Sequence, residues 1–147
     1  MKIFQLLDLP NEFDQLVDEA SSDGHRFLEK MREEWANGTN RFNRENEILF
    51  GIKSANRLIA IGGLNIDPYI ADPSIGRVRH VYVSKEFRGF GVGQKLVSKI
   101  IAHAKHRFRV LRLRTHNPSA ARFYARMGFE VAEAPEDPSL IYMSRTI

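Results

Sequence analysis

The 147-residue sequence contains no cysteine. That absence excludes disulfides, thiolate metal sites and a cysteine nucleophile, and it fits a reducing compartment. No stretch approaches the roughly 18 apolar residues of a membrane span, and Asp8 and Pro10 interrupt the start where a signal peptide needs an apolar run. We therefore expect a cytoplasmic protein without a membrane partner. The length and the 43% hydrophobic content predict one globular domain over residues 1–147.

Acidic residues are missing from a long part of the chain. No Asp or Glu lies between Glu86 and Glu130, whereas ten Lys and Arg residues do. A region without carboxylates raises the local electrostatic potential and favours a polyanionic ligand. A solvated basic helix face is the plainer interpretation of any single lysine there.

The spacing of apolar residues predicts the element order β, α, α, β, β, β, α, β, α, β, β. Asn117 is the expected N-cap of the fourth helix and Gly128 its end. In the third helix, Lys95, Lys99 and His103 are expected outside a buried stripe formed by Leu96, Val97, Ile100, Ile101, Ala104 and Phe108. After an N-terminal strand, helices are expected over 11–22, 25–36, about 92–107 and 118–127, and strands over 47–53, 57–66, 77–84, 110–115, 129–134 and 140–145, with a turn at 135–138.

The segment RGFGVGQKL, residues 88–96, places three glycines at alternate positions just before a predicted helix. Glycine lacks a Cβ, so backbone N–H groups can converge on an anion, which the positive end of the helix dipole also attracts. This predicts a phosphate site. A dinucleotide-binding fold would need a glycine where Gln94 stands and an acidic residue roughly 20 positions later, where the sequence is basic. A P-loop would need Lys and then Ser or Thr directly after the glycines, which are followed by Gln94 and Lys95.

The remaining pattern, R-x-x-G-x-G at Arg88, Gly91 and Gly93, resembles the acetyl-coenzyme-A loop of the GNAT superfamily of N-acetyltransferases. NPSAARFYARMGFE, residues 117–130, and VYVSKEFRG, residues 81–89, are similar to two further segments of that family. The resemblance spans about residues 47–145. It implies an α/β (α+β) acyl-CoA N-acyltransferase fold, with a central mixed, mostly antiparallel sheet flanked by helices. In that fold the parallel strands 4 and 5 splay apart.

The resemblance also implies acetyl-CoA as the cosubstrate and no metal. The pantetheine arm would enter between strands 78–83 and 110–115, and the pyrophosphate would lie on the backbone of the glycine turn. The residues that the resemblance assigns to cofactor binding are Val81, Tyr82, Val83, Arg88, Gly89, Phe90, Gly91, Val92, Gly93, Gln94 and Asn117.

The implied reaction is direct attack of an acceptor amine on the thioester. Tyr124 would protonate the leaving thiolate, although a tyrosine that only packs its ring is the structural alternative. The backbone N–H of Val81 or Tyr82 would stabilise the oxyanion. Many relatives carry a glutamate base on the strand before the glycine turn, and this sequence has none there. His80 or His116, each with an imidazole pKa near ~6.5, a water relay or an amine that arrives neutral would replace it.

The sequence leaves the acceptor open. The segments that bind the acceptor in relatives would suit a cationic amine, since they carry Glu12, Asp18, Glu19, Asp23, Glu136 and Asp137. Four arginines could instead hold a carboxylate-bearing acceptor, namely Arg41, Arg44, Arg77 and Arg79. Trp35, Phe27 and Phe42 could line its pocket.

Two other classes of function were weighed. KHRFRVLRLRTH, residues 105–116, has the composition of a nucleic-acid backbone binder, and an RNA-linked acceptor would reconcile it with the resemblance. Its alternation is that of a central strand with Leu111 and Leu113 buried, which argues against a nucleic-acid partner. A coenzyme-A-binding module without catalysis is the third class. Dimers are common among GNAT relatives, so a homodimer is a further expectation.

Overall fold

The computed structural model describes residues 1–132 and 137–147. Within these residues the chain forms seven strands and four α-helices, in the order that the sequence predicts. Their bounds are β1 Lys2–Gln5, α1 Phe13–Ser22, α2 Phe27–Asn37, β2 Ile48–Ser54, β3 Arg57–Ile66, β4 Ile75–Val83, α3 Val92–Ala104, β5 Val110–Thr115, α4 Pro118–Arg126, β6 Glu130–Val131 and β7 Ile141–Thr146. A 3₁₀ turn, Lys85–Phe87, lies between β4 and the glycine turn.

The strands form one twisted sheet in the order β1-β2-β3-β4-β5-β7-β6. Neighbouring strands are antiparallel except β4 and β5, which are parallel. Residues 75–77 of β4 pair with 110–112 of β5, and the pairing stops there although both strands continue. The two strands therefore separate at their carboxyl ends, which confirms the predicted splay.

Each face of the sheet is covered by a separate apolar cluster. The six predicted residues of the α3 stripe are all buried and pack with α4 side chains on one face. On the other face α1 and α2 form the second cluster, to which α1 contributes Phe13, Leu16, Val17 and Ala20. Full burial of one such aliphatic or aromatic side chain is worth about 1.5–3 kcal/mol. The packing fixes the start of α3 beside the carboxyl end of β4.

Three boundaries differ from the sequence-based prediction. Helix α3 ends at Ala104 rather than near residue 107, because Lys105 is extended and His106 takes a φ of +67°. The strand expected over 129–134 is the two-residue β6, and part of the turn expected at 135–138 lies outside the described residues. His103 is half-buried rather than outside, since its Nε2 lies 3.0 Å from the carbonyl oxygen of Asn46.

The basic segment 105–116 contains a central strand, β5, with β4 on one side and β7 on the other. Leu111 and Leu113 are buried as expected, so half of the strand's side chains serve the core. In the part of the chain that the structure describes, no helix combines the length and the apolar character needed to cross a membrane.

Candidate active site

The glycine turn opens onto a cavity at the start of α3. Gly89 and Gly91 have φ values of +84° and +78°, in the left-handed region that favours glycine, and Gly91 immediately precedes the first helical residue. A Cβ at either position would meet no atom within 4 Å, so the space above the turn is open. The cavity measures about 520 Å³ and is lined by Val83, Phe87, Arg88, Gly89, Gly91, Val92, Gly93, Gln94, Phe123, Arg126 and Met127. Converging N–H groups and a helix N-terminus suit it to a phosphate group.

Arg88 folds back onto the end of β4. Its Nε donates a hydrogen bond of 2.9 Å to the carbonyl oxygen of Val83, and its guanidinium carbon lies 5.3 Å from the centroid of the Tyr82 ring. The Val83 carbonyl, which the resemblance assigns to cofactor pairing, is thus engaged by Arg88 in this conformation. Phe90, at the tip of the turn, is 74% exposed.

A β-bulge interrupts β4 next to the splay. Tyr82 is opposite Ile61 and Arg79 is opposite Gly63, so His80 and Val81 together face a single residue of β3. His80 adopts a φ of +61°, which is uncommon for a residue other than glycine and marks a conformation held by its surroundings. A bulge takes backbone groups out of the ladder and re-aims side chains. The sequence-based analysis missed this feature, because no glycine marks it.

A larger cavity of about 690 Å³, here called the cleft, occupies the gap between β4 and β5. It brings together the three predicted catalytic residues, Tyr124, His80 and His116. Of the predicted cofactor-binding residues, the cleft is lined by Val81, Tyr82, Val83, Arg88, Gly93 and Asn117. Gly89, Gly91, Val92 and Gln94 line the smaller cavity instead, and Phe90 is absent from both linings.

Tyr124 is a buried phenol at the wall of the cleft. Its ring packs edge-on against Phe123 and Phe129, with centroids 5.1 and 5.7 Å away. Over residues 1–132 and 137–147, the hydroxyl has no hydrogen-bond partner. Burial raises the pKa of the Tyr124 hydroxyl above its usual range, so the group carries its proton at neutral pH.

His80 is enclosed by aromatic rings. It stacks on Phe27 at 6.2 Å and meets Phe42 edge-on at 6.0 Å. Its buried Nε2 has no hydrogen-bond partner among the described residues. Burial first, and then the positive charges of Arg79 and Lys30, lower the pKa of His80 to about 3. The expected value near 6.5 is therefore wrong for this conformation, and the imidazole is uncharged at neutral pH.

His116 and Asn117 follow directly after β5. His116 is exposed at the cleft. The Asn117 Oδ1 accepts hydrogen bonds from the backbone N–H groups of Ser119 at 2.9 Å and Ala120 at 3.4 Å, which confirms the predicted N-cap of α4. The carboxyl end of β5 thus presents both side chains opposite the bulge of β4.

Positive side chains from several elements line the cleft, and we refer to Lys30, Arg77, Arg79 and Arg114 as the cationic wall. Arg77 is 4% exposed and its Nε and Nη2 lie 3.1 and 3.0 Å from Oδ2 of the buried Asp67. The Tyr69 ring contacts both Arg77 and Arg114, whose guanidinium carbons lie 4.8 and 4.5 Å from its centroid. Lys30, Tyr69 and Arg114 were not singled out from the sequence.

Comparison with known proteins decides the family. A family model described as the acetyltransferase (GNAT) family matches residues 6–129. The chain belongs to the GNAT family. The structure of a proposed acetyltransferase from Exiguobacterium sp. 255-15 is similar to it with a TM-score of 0.84 and 26% identity, covering 99% of this chain and 92% of that one.

Other GNAT relatives are more distant or match over a shorter segment. The PaiA N-acetyltransferase of Thermoplasma acidophilum, solved in complex with coenzyme A, shares the fold with a TM-score of 0.73 and 19% identity over the whole of both chains. A 5-NmdU N-acetyltransferase of Pseudomonas phage PaMx11 is 42% identical over 50 residues, which are 34% of this chain and 36% of that relative. A second curated relative, an uncharacterised N-acetyltransferase of Methanocaldococcus jannaschii, is matched over 27% of its length. The match thus spans about a third of the curated relatives or less.

The acidic side chains expected near the acceptor of this GNAT chain are engaged elsewhere. Glu12 lies 3.9 Å from Lys53, and Glu19 accepts hydrogen bonds from Tyr82 and Ser84. None of those that the structure describes lines the cleft, and Glu136 lies outside the described residues. Within the described residues, no three His, Asp or Glu side chains are grouped so that they could hold a metal ion.

The remaining acceptor candidates divide in the same way. Of the four arginines proposed for a carboxylate, the two on β4, Arg77 and Arg79, line the cleft, and the two on the loop after α2 do not. Phe27 lines the cleft, whereas Trp35 and Phe42 pack in the cluster beneath α1 and α2.

Proposed function

We propose that the protein is an N-acetyltransferase that transfers the acetyl group of acetyl-CoA directly to a primary amine of a small molecule or protein. The observation that carries the proposal is the splay of β4 and β5. It opens one cleft onto the phenol of Tyr124, the bulge at His80 and the glycine turn. Acetyl-CoA would supply the acetyl group as an activated thioester.

The reaction balances with one proton released. The amine nitrogen forms a bond to the acetyl carbonyl carbon, and the bond between that carbon and sulfur breaks. The ammonium form of the acceptor loses two protons in all: one reaches the sulfur by way of a protein acid, and the other leaves to solvent. The products are the N-acetylated amine and the free thiol of coenzyme A.

The glycine turn would bind the pyrophosphate through the backbone N–H groups of residues 88–94. Its open space, its positive φ values and the start of α3 support this assignment. Backbone groups at Val81, Tyr82 and Val83 would pair with the pantetheine arm, and Arg88 would move from the Val83 carbonyl towards the phosphates. Asn117 would contact the cofactor from β5 through its amide nitrogen, because its Oδ1 caps α4.

Tyr124 would hold the proton that the sulfur receives. Its raised pKa and its unengaged hydroxyl fit an acid that gives up its proton only to a strong base such as a thiolate. The bulge in β4 would direct the N–H of Val81 or Tyr82 at the carbonyl oxygen as negative charge develops there. A preorganised donor of this kind stabilises the charge without rearrangement.

His80 and His116 would divide the handling of the amine. The uncharged His80 offers Nε2 as a hydrogen-bond partner that orients the acceptor. Its low pKa makes it a weak base. Removal of the ammonium proton therefore falls to His116, or to a water that His116 holds, at the open side of the cleft.

Binding of coenzyme A tests the site separately from catalysis. Gly91→Asp places a carboxylate at the pyrophosphate position, and Gly91→Asn is the matched control, since Asn has the same size and tolerates a positive φ. Both are good N-cap residues, so the fold is retained. We expect calorimetry to show at least about a tenfold weaker affinity for the Asp variant than for the Asn variant, because like charges repel across a few ångströms. Equal affinities of the two variants would contradict the assignment of the turn.

Turnover tests the enzyme against the alternative of a non-catalytic module. Acetyl-CoA is mixed with a panel of primary amines, and free thiol is measured with a chromogenic reagent. We expect amine-dependent thiol release and an acetylated product of the corresponding mass. Tight binding of coenzyme A with no release from any amine would favour the binding module instead.

A further inference from the structure

The cleft is lined by positive charge that the reaction itself does not require. We propose that the acceptor amine also carries an anionic group, a carboxylate or a phosphate, which binds the cationic wall of Lys30, Arg77, Arg79 and Arg114. The inference rests on the proposed acetyl transfer, for which it names the class of acceptor.

The charge balance of the cleft is the first support. Among the described residues that line it, five are Lys or Arg and none is Asp or Glu. Arg88 is engaged at the end of β4, and Arg77 is paired with Asp67. In residues 1–132 and 137–147, no carboxylate lies within ion-pair distance of Lys30, Arg79 or Arg114. A cleft with this excess of one sign attracts and holds an anion.

An unsatisfied guanidinium nitrogen is the second and independent support. Two nitrogens of Arg77 bind Asp67, but its buried Nη1 has no partner among the described residues. Buried donors of this kind are nearly always paired in folded proteins. Because Arg77 lines the cleft, an oxygen of a bound carboxylate or phosphate is the partner that fits a charged, planar donor.

Tyr69 organises the same part of the cationic wall. Its half-exposed ring contacts Arg77 and Arg114, and its hydroxyl accepts a hydrogen bond of 2.9 Å from Nη2 of Arg114. The positive charge of Arg114 is close enough to disfavour the charged form of Arg77. Two like charges held around one ring gain from a shared counter-ion.

The cationic wall also acts on His80. The charged groups that act on this imidazole are Arg79 of β4 and Lys30 of α2, and both disfavour its protonation. An anion bound to these two side chains would offset that repulsion. An anionic acceptor would thus improve the hydrogen bond that His80 accepts, which a neutral acceptor could not do.

Four amines of similar length test the proposal. They are 4-aminobutyrate, 3-aminopropyl phosphate, 4-aminobutanamide and 1,4-diaminobutane, each assayed for thiol release at saturating acetyl-CoA. We expect kcat/KM to be at least about tenfold higher for an anionic amine than for the amide, and lowest for the diamine, since a charge-assisted hydrogen bond is the stronger class. The faster of the carboxylate and the phosphate identifies the anion.

Two variants locate the effect. Arg79→Gln and Arg114→Gln are each expected to raise the KM for the anionic amine by about tenfold, with the KM for acetyl-CoA unchanged. Arg107→Gln is the matched control, because it removes the same charge from a residue outside both cavities. Arg77 is left intact, since its removal would leave the buried Asp67 charge unpaired.

The outcomes separate the two claims. If the amide and the diamine react as fast as the anionic amines, the inference is wrong and the proposed function stands. If no amine releases thiol from a protein that binds coenzyme A, the proposed function fails and the inference fails with it. An equal loss with all four amines in the arginine variants would also overturn the inference, because it would show an effect on the transfer step rather than on the anion.

Discussion

Replacement of Tyr124 by Phe is the sharpest test of the proposed chemistry. The change removes one oxygen atom and keeps the ring that packs between Phe123 and Phe129. The hydroxyl has no hydrogen-bond partner in the part of the chain that the structure describes. Its removal therefore leaves no buried donor or acceptor unpaired, and we expect the free energy of unfolding to change by less than about 0.5 kcal/mol.

The expected effect on catalysis is much larger. A positioned general acid contributes about 10²- to 10⁴-fold to a rate. At about 1.36 kcal/mol for each factor of ten, that corresponds to about 2.7–5.4 kcal/mol of transition-state stabilisation. The loss should appear in kcat, with the affinity for coenzyme A unchanged, because the phenol is assigned to the departing thiolate and not to the phosphates.

The assay compares wild type, Tyr124→Phe and Tyr142→Phe. Tyr142 lies on β7 and lines neither cavity, so it controls for loss of a tyrosine hydroxyl as such. Thiol release gives kcat, calorimetry gives the affinity for coenzyme A, and urea unfolding gives stability. If Tyr124→Phe keeps the wild-type kcat, the acid assignment is wrong. If both variants lose activity and stability together, the loss is structural and the reasoning from the unpaired hydroxyl fails.

Two further predictions concern stability. Gly63→Ala would place a Cβ 2.3 Å from the buried Phe42 ring, so urea unfolding should show a loss of about 1–3 kcal/mol; an unchanged midpoint would show that the ring can move aside. Burial raises the pKa of Glu19, but hydrogen bonds from Tyr82 and Ser84 contribute to a net lowering below 4.5. Because the folded pKa is the lower one, Glu19 stabilises the protein above the unfolded pKa and loses that effect as pH falls through the folded value. Glu19→Gln should therefore cost more stability at pH 7 than at pH 3, and an equal cost at both would argue against the charge.

The fold could be predicted closely because its signals are local. The buried stripe of α3 repeats at helical spacing, and all six of its predicted residues are in the core. The order of the elements and the splay of β4 and β5 followed from the motif resemblance and were confirmed. The end of α3 was misjudged because it depends on the backbone angles of Lys105 and His106, which apolar spacing does not report.

The site was predictable where its residues are contiguous. The glycine turn and the segment with Asn117 and Tyr124 each carry a pattern within a few positions. The environment of His80 was not predictable, because its burial depends on Phe27 of α2 and Phe42 of a distant loop. The pKa of about 3 is the result of that enclosure.

The amino-acid sequence was sufficient for the family, for the turn that suits a phosphate and for the location of the phenol, since each depends on a short run of residues with its own geometry. The sign of charge in the cleft was not readable in this way. The first 50 residues carry an excess of acid, yet folding turns Glu12 and Glu19 to partners elsewhere and brings Lys30, Arg79 and Arg114 from three separate elements to one gap. Electrostatic potential depends on distances in space, and those distances exist only once the sheet has formed.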